Sequence, residues 1–366
     1  MSSNEQQKVK TLGLFEKRFD GDNCLMDLAR RRFMEAGMGA EMHAGTTEHL
    51  DWSMSYRLGA EVPLTVHLPR DFNLMEAQSR ARILAFATRY AGRVYGFVLH
   101  DHTTLATHRK DYIDAAWELD DCLQRVVGCP MVFVEYAAGL EPGDFAGFFE
   151  AIPDLDRIGA CIDIGHVGMR AARAAYAKCH GGEDICALKS QTVRLQQVMP
   201  EVDAAVTSAP AVVLDLVERI SGFKKPVHFH LHDGHPLSTF SPFGVSDHLS
   251  FLAEIPLNFE YRGTRTLAPM FGSTGLGTLV SRAVTLMGRD RISFTLEIHP
   301  TGERLSLGDA ASLFDHWADK SNAEKMNHWL AVLGMNHLLL LQALETASMP
   351  KAATSTTGLD SQACLI

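Results

Sequence analysis

The sequence lacks the cysteine spacing that marks metal-thiolate clusters and disulfide-stapled folds. Its seven cysteines are scattered through 366 residues, and no two of them are spaced as CxxC. This excludes a cysteine-zinc cluster of the usual spacing and argues against a disulfide framework. A reducing, cytoplasmic location is therefore expected.

Targeting signals and long hydrophobic runs are also missing. The first ten residues, MSSNEQQKVK, are polar, which predicts no signal peptide. The richest apolar run, residues 338–341, is too short to cross a bilayer, so no membrane segment is expected.

An excess of basic residues is absent as well. The formal net charge is −10, which disfavours nucleic acid as a partner and favours a small-molecule substrate. With 46% hydrophobic and 21% charged residues, the chain has the composition of an ordinary globular protein with a full core.

Eight short segments rich in β-branched and aromatic residues are each followed by a stretch with helical spacing. This rhythm predicts repeated βα units, and eight parallel strands close a barrel, so the expected fold class is α/β, a (β/α)8 TIM barrel. The predicted strands are residues 11–15, 39–43, 63–67, 94–100, 131–135, 158–163, 226–232 and 291–297.

The barrel is predicted to carry long loops after strands 6 and 7 and a helical extension at its C-terminal end. Helices are expected around residues 169–178, 190–198, 210–220 and 276–287, and a Pro/Gly/Ser-rich loop at 237–251. We assign residues 1–308 to the barrel, 309–347 to the helical extension and 348–366 to a disordered tail. The extension is expected to pack on its own barrel, or else on another subunit of a homo-oligomer.

Polar and ionisable residues recur where the predicted strands end. In TIM barrels the carboxyl ends of the strands carry the catalytic groups, whereas the strand bodies fill the core. Seven of the eight predicted strands end in this way, which surface solvation explains poorly. The residues are His43, His67, His100, Glu135, Asp163, His230 and Glu297.

Glu135 ends the apolar run of VFVEYAAG. Burying its carboxylate costs several kcal/mol unless a cation compensates for the charge. A metal ion is the favoured partner, and an ion pair with a Lys or Arg is the alternative.

Asp163 and His166 stand three residues apart in IGACIDIGHVGM, at a predicted strand-to-helix turn. Both side chains can therefore face one cavity. The alternative is a helix-capping Asp beside a structural His.

His228, His230 and His232 alternate along PVHFHLHDGHP, so their side chains point to the same side of a strand. Neutral imidazoles are common ligands of zinc, manganese and iron. One of the three, His228, can instead be a core histidine at the buried end of the strand.

Glu297 at the end of the eighth strand completes a set with Glu135, Asp163 and His230. Two Glu, one Asp and one His suit a divalent metal such as Mn, Mg, Co, Zn or Fe.

Residues 11–300 resemble the xylose-isomerase-like TIM barrel superfamily, which contains sugar isomerases and epimerases and endonuclease IV. The resemblance rests on Glu135, on Asp163-x-x-His166, on His230-Leu-His-Asp233 and on Glu297. These motifs indicate the superfamily, and they do not indicate a substrate.

Similarity to the ketose epimerases implies one metal ion bound by Glu135, Asp163, His230 and Glu297. It implies that the two glutamates move protons next to a metal-polarised carbonyl, while His166 holds the substrate. The expected function is therefore a metal-dependent isomerase or epimerase of a small sugar-like or polyol substrate. One departure is Pro236, which stands where those epimerases have an arginine.

Similarity to the endonuclease IV branch implies instead a multinuclear hydrolase, phosphoesterase or oxidase with two or three metal ions. Its turn after strand 5 resembles residues 135–139, and its third and fourth strands end in metal-binding histidines, as this chain does. The His-x-Ser and Gly-Gly patterns of that enzyme are absent from the early strands, which disfavours DNA as the substrate. The additional candidate ligands of metal or substrate are His67, His100, His166, His232, Asp247 and His248.

A non-catalytic binding barrel is the third alternative. The glycine-rich segment GSTGLG at 272–277 follows no predicted strand and is interpreted as a loop, not a dinucleotide site. Glu41 and His43 on the second strand can line the cavity, although surface solvation explains Glu41 equally well.

Overall fold

Short apolar segments form a closed barrel of eight parallel strands in the part of the chain that the structure describes. This computed structural model describes residues 8–15, 22–55, 63–190, 192–237, 248–253, 255–259, 263–298 and 321–348. The first and last barrel strands pair in parallel and close the ring. The strands are β1 (Lys10–Phe15), β2 (Gly39–His43), β3 (Leu64–His67), β4 (Gly96–His100), β5 (Met131–Glu135), β6 (Ile158–Asp163), β7 (Val227–Leu231), the hairpin strands β8 (Ile255–Phe259) and β9 (Gly263–Leu267), and β10 (Ile292–Leu296).

Amphipathic helices surround the barrel. Each helix is expected to bury one apolar face, as the first helix illustrates. Its residues Met26, Ala29 and Phe33 recur at helical spacing and are all buried. The predicted βα rhythm, and with it the predicted α/β barrel, is confirmed. The helices are α1 (Asn23–Glu35), α2 (Thr47–Ser55), α3 (Ala77–Arg89), α4 (Thr104–Thr107), α5 (Arg109–Gln124), α6 (Pro142–Glu150), α7 (Ile164–Cys179), α8 (Thr192–Ser221), α9 (Gly272–Met287) and α10 (Asn322–Ser348).

The connection after β6 is helical over most of its length, with a 3₁₀ segment (Ile185–Ser190) between α7 and α8. The prediction of two helices at 190–198 and 210–220 was wrong, because a single helix, α8, runs through both. Pro200 and Pro210 lie inside it. Each proline removes one backbone donor, but Val202, Val206 and Val213 are buried along one face, and this packing keeps the helix continuous.

The connection after β7 contains an antiparallel hairpin, β8 and β9, that the sequence did not predict. Residues 238–247 of the predicted loop lie outside the described residues. The interpretation of GSTGLG as a loop was wrong, because these residues form the first turns of α9. The helix begins there because both carboxylate oxygens of Asp233 accept its first backbone N–H groups, among them Gly272 N at 2.7 Å.

The C-terminal helix α10 packs on its own barrel. Trp329 is buried and its Nε1 donates to the carbonyl oxygen of Ile298 at 3.1 Å. His337 and Asn336 are buried as well, with His337 Nε2 3.0 Å from Thr11 Oγ1 on β1. By length and composition alone α10 is apolar enough to cross a membrane. Residues 309–320 of the predicted extension lie outside the described part of the chain.

The main hydrophobic core lies between the strands and the helices, whereas the interior of the barrel holds a second, small apolar cluster of Val98, Met131, Phe133 and Cys161. Because side chains alternate along a strand, the inward positions of β5 are Met131, Phe133 and then Glu135. Along β5 the interior therefore changes from apolar to polar towards the carboxyl end of the strand.

Candidate metal centre

The predicted residues of the strand ends meet inside one end of the barrel. Most of them close a strand: His67 ends β3, His100 ends β4, Glu135 ends β5 and Asp163 ends β6. Parallel strands place their carboxyl ends on the same side, which brings these side chains together. We call the following residues the rim cluster: His67, His100, Glu135, Asp163, His166, His230, His232, His248 and Glu297.

The first group of possible ligands in the rim cluster is His67, His100 and Glu135. Oε2 of Glu135 lies 3.0 Å from His67 Nε2 and 3.4 Å from His100 Nε2. Burial lowers the pKa of His67, but the carboxylates of Glu135, Glu297 and Glu41 together outweigh burial and raise it to about 8. Burial dominates at His100 and lowers its pKa to about 4, so this imidazole is neutral at pH 7.

The second group is Glu135, Asp163, His230 and Glu297, the four residues assigned to the metal from sequence. His230 Nδ1 lies 2.9 Å from Glu297 Oε2 and 3.4 Å from Glu135 Oε1. Potential ligand atoms of all four residues lie within 4.8 Å of one another, which is compatible with one shared cation. Burial raises the pKa of Glu135, but His100, His230 and His67 outweigh it and hold this pKa well below its ordinary value.

The third group is Asp163, His166, His232 and His248. His232 Nε2 lies 2.8 Å from Asp163 Oδ1, and His166 Nε2 lies 3.3 Å from Asp163 Oδ2. The rings of His232 and His248 stack with centroids 4.1 Å apart. Asp163 is also the N-cap of α7, where its Oδ1 accepts from the backbone N–H of His166 at 2.8 Å. Asp163 can thus cap α7 and also serve as a metal ligand.

Gly165 makes room for the third group. A Cβ atom at this position would lie 2.0 Å from Cε1 and 2.3 Å from Nδ1 of His232. Any other residue would therefore push the imidazole away from Asp163. The first turn of α7 and the end of β7 approach each other this closely only because the side chain is absent.

The donor atoms fit divalent metal ions. Glu135 Oε2, His100 Nδ1 and both ring nitrogens of His230 are buried and make no hydrogen bond with the described residues. Some of these atoms nevertheless take part in approaches of 2.9 to 3.4 Å between an imidazole nitrogen and a carboxylate oxygen. The atoms are therefore close together, but the angles are not those of a hydrogen bond. Mixed imidazole and carboxylate donors suit Zn, Mn, Fe or Co.

The alternative of a Lys or Arg partner for Glu135 finds no support among the described residues. The ion-pair partners of Glu135 there are His67, His100 and His230. Asp247, the remaining candidate ligand, lies outside the described residues. His43 lies beside the rim cluster, with its ring stacked on that of His67 at 4.6 Å.

Sequence reasoning underestimated Glu41. Its side chain is fully buried inside the barrel, not solvated at the surface. The signal was present, because Glu41 stands two residues before His43 and so shares its face of β2. We call Glu41 and its hydrogen-bonding neighbours the interior layer, which consists of Glu41, Thr65, His228, Ser293 and Thr295.

His228 belongs to this interior layer and not to the rim cluster. Its Nδ1 is hydrogen-bonded to Ser293 Oγ at 2.7 Å and its Nε2 to Thr295 Oγ1 at 3.0 Å. Burial lowers the pKa of His228. The alternative that His228 is a buried core histidine therefore agrees with its position in the structure.

No protein-family model matches the chain, and no curated protein is significantly similar to it.

Proposed function

We propose that this protein is a metal-dependent hydrolase whose rim cluster binds two or three divalent ions and acts on a small ester, with phosphate esters as the first class to test. One observation carries the proposal. Glu135 belongs to the first and second ligand groups, and Asp163 belongs to the second and third. Carboxylates with two oxygens can bridge neighbouring ions, so the three groups form a continuous series of adjacent sites.

When bound, such ions would lower the pKa of a water molecule and polarise the ester for attack. The protein supplies the rest. His67 and His100 hold one end of the series, His232 and His248 hold the other, and His230 lies between the two central glutamates. Because nearly all of these side chains are buried, bulk water is excluded and their charges interact strongly.

The resemblance to the endonuclease IV branch agrees with this proposal, since His67 and His100 are the histidines that distinguish that branch. Nucleic acid remains disfavoured as a substrate by the net charge of −10. A small substrate that enters at the carboxyl ends of the strands fits this charge better than nucleic acid does.

A single-metal isomerase or epimerase is the second candidate. The observation that favours it is the second ligand group, which by itself provides four donors of the type that one ion needs. In that mechanism Glu135 and Glu297 would exchange protons with a sugar-like substrate, and His67 and His100 would not bind metal.

Metal content separates the two candidates. Elemental mass spectrometry of protein purified without chelator should give two or three ions per chain. His67→Ala and His100→Ala should each lower the content by about one ion, because the first ligand group has only three residues. The exposed neighbour His102 provides the control, since His102→Ala should leave metal content unchanged.

Activity should follow metal content. Hydrolysis of an aryl phosphodiester should be lost with the ions and restored by adding them back. One ion per chain, unchanged in His67→Ala and His100→Ala, would contradict the multinuclear hydrolase and lead to a screen of ketoses and inososes. Multiple iron ions with oxygen consumption and no ester hydrolysis would indicate an oxidase instead.

A further inference from the structure

The carboxylate of Glu41 is buried in the barrel interior, below the rim cluster. Its Oε2 atom accepts hydrogen bonds from the hydroxyls of Thr65 at 2.7 Å and Thr295 at 2.9 Å. His228 Nε2 lies 3.2 Å from the same oxygen. These contacts orient the carboxylate and leave its second oxygen, Oε1, facing the end of the barrel where the rim cluster lies.

Glu41 Oε1 lies 3.0 Å from Nε2 of His230. The other ring nitrogen of His230, Nδ1, lies 2.9 Å from Glu297 Oε2 in the second ligand group. The imidazole therefore bridges the two layers, with Nε2 towards Glu41 and Nδ1 towards the glutamates of the rim cluster. Neither Oε1 nor Nε2 makes an aligned hydrogen bond with the described residues, although the two atoms approach each other to 3.0 Å.

We propose that Glu41 is a positioning residue, which holds the ring of His230 and keeps the proton on Nε2 so that Nδ1 presents its lone pair to a metal ion. A histidine donates to a metal through one nitrogen only if that nitrogen carries no proton, and the group beside the other nitrogen decides which one does. A carboxylate in that place also makes the imidazole a stronger ligand. The inference rests on the proposed function, because it requires a metal ion in the second ligand group.

Two other roles for Glu41 predict different results. If Glu41 only stabilises the interior layer, its loss should lower stability without a specific effect on metal binding. If Glu41 is itself a ligand, as its closeness to His67 and His230 permits, its loss should remove a whole metal equivalent. The positioning role predicts weaker binding at one site with the number of sites unchanged.

Cobalt titration of the metal-free full-length protein tests the inference, because the visible absorption of Co²⁺ reports its ligands. Glu41→Gln should weaken one Co²⁺ site by about 10- to 100-fold and change its absorption band, with the other sites unaffected. Glu41→Asp keeps the charge but draws the carboxylate away from His230, so it should weaken the same site. Glu41→Asp can still be measured if Glu41→Gln does not fold.

Thr65→Val is the matched control. It removes one of three contacts to the opposite oxygen of the same carboxylate, which Thr295 and His228 still orient, so it should lower the melting temperature of the metal-free protein while Co²⁺ affinity stays within about threefold of wild type. Wild-type affinity and an unchanged band in folded Glu41→Gln and Glu41→Asp would overturn the positioning role, and so would loss of a full equivalent. If the wild-type protein binds no Co²⁺, the proposed function fails together with the inference.

Discussion

The interior layer and the rim cluster share strands β3 and β7 and are both mostly buried, yet their polar atoms are arranged differently. Thr65 and His67 alternate on β3, His228 and His230 on β7. In the interior layer the side chains pair with one another as hydrogen-bond donors and acceptors, apart from Oε1 of Glu41. In the rim cluster, carboxylates and imidazoles approach one another with several of their atoms making no hydrogen bond to the described residues.

The comparison separates two reasons for burying polar groups. Hydroxyls beside a carboxylate compensate for its lost hydration, so the hydrogen-bonded atoms of the interior layer do not need a ligand to offset their burial. A cluster of carboxylates and imidazoles leaves donor atoms directed at a common space, and a cation bound there would compensate for their burial. Distances alone would not reveal this difference, because both regions contain contacts near 3 Å.

The strongest test of the comparison removes the carboxylate shared by two ligand groups. Glu135→Gln should lower metal content and reduce turnover by about 100- to 10,000-fold, with the fold unchanged, because the amide cannot bridge two ions. Glu141→Gln is the control, since Glu141 pairs with Arg170 at the surface. Elemental analysis, circular dichroism and phosphodiester assays measure the outcome. Wild-type rates in Glu135→Gln would remove this residue from the mechanism, and the same holds for Glu297→Gln.

A second test acts on the rim cluster through the backbone. Gly165→Ala should displace His232, cost about 1 to 3 kcal/mol of unfolding free energy and weaken metal binding at the third ligand group. Gly277→Ala lies in a helix with open space around its Cβ, so it should stabilise the protein by about 0.5 to 1 kcal/mol. Denaturant unfolding of the two variants compares them, and equal stability changes would contradict the proposed fit around His232.

A third test extends the comparison to a buried histidine beside a hydroxyl. Burial, aided by Lys8, lowers the pKa of His337 to about 4, whereas the pKa of an unfolded histidine is near its ordinary value of 6.5. Acidification therefore adds a proton to the unfolded chain first, and stability falls as the pH drops from 6.5 towards 4. Linkage gives a loss of about 2 kcal/mol between pH 7 and 5.

The His337 contribution should disappear from the pH dependence of stability in His337→Gln. Denaturant unfolding at pH 7 and pH 5 measures it, and His102→Gln, at an exposed histidine, should keep the wild-type slope. An identical slope in His337→Gln and wild type would show that this buried histidine titrates normally.

The smallest effect is expected in the interior layer. Thr65→Val should cost about 1 kcal/mol, because Thr295 and His228 still contact the same oxygen of Glu41. Catalysis and metal content should hardly change. A loss of metal in this variant would mean that the two layers are not separable.

Much of the barrel was predictable from local patterns. Each of the eight predicted strands overlaps an observed one, because an apolar run followed by a helical period is a local feature. The single helix α8 was not predicted, because its sequence was interpreted as two separate helical segments, whereas side-chain packing keeps one helix continuous through Pro200 and Pro210. The antiparallel pair of β8 and β9 was also missed, because it forms within a connection to which the βα rhythm assigned no strand.

The sequence by itself determined which side chains could share a face of the barrel, because alternation along a strand follows from backbone geometry. His230 and His232 were assigned to one side of β7 on that ground alone. Only the tertiary structure decided which side chains meet. Glu41 contacts Thr295, 254 residues away in sequence, and His230 lies between two glutamates from other strands. Such contacts depend on ring closure and strand register, which no local pattern encodes.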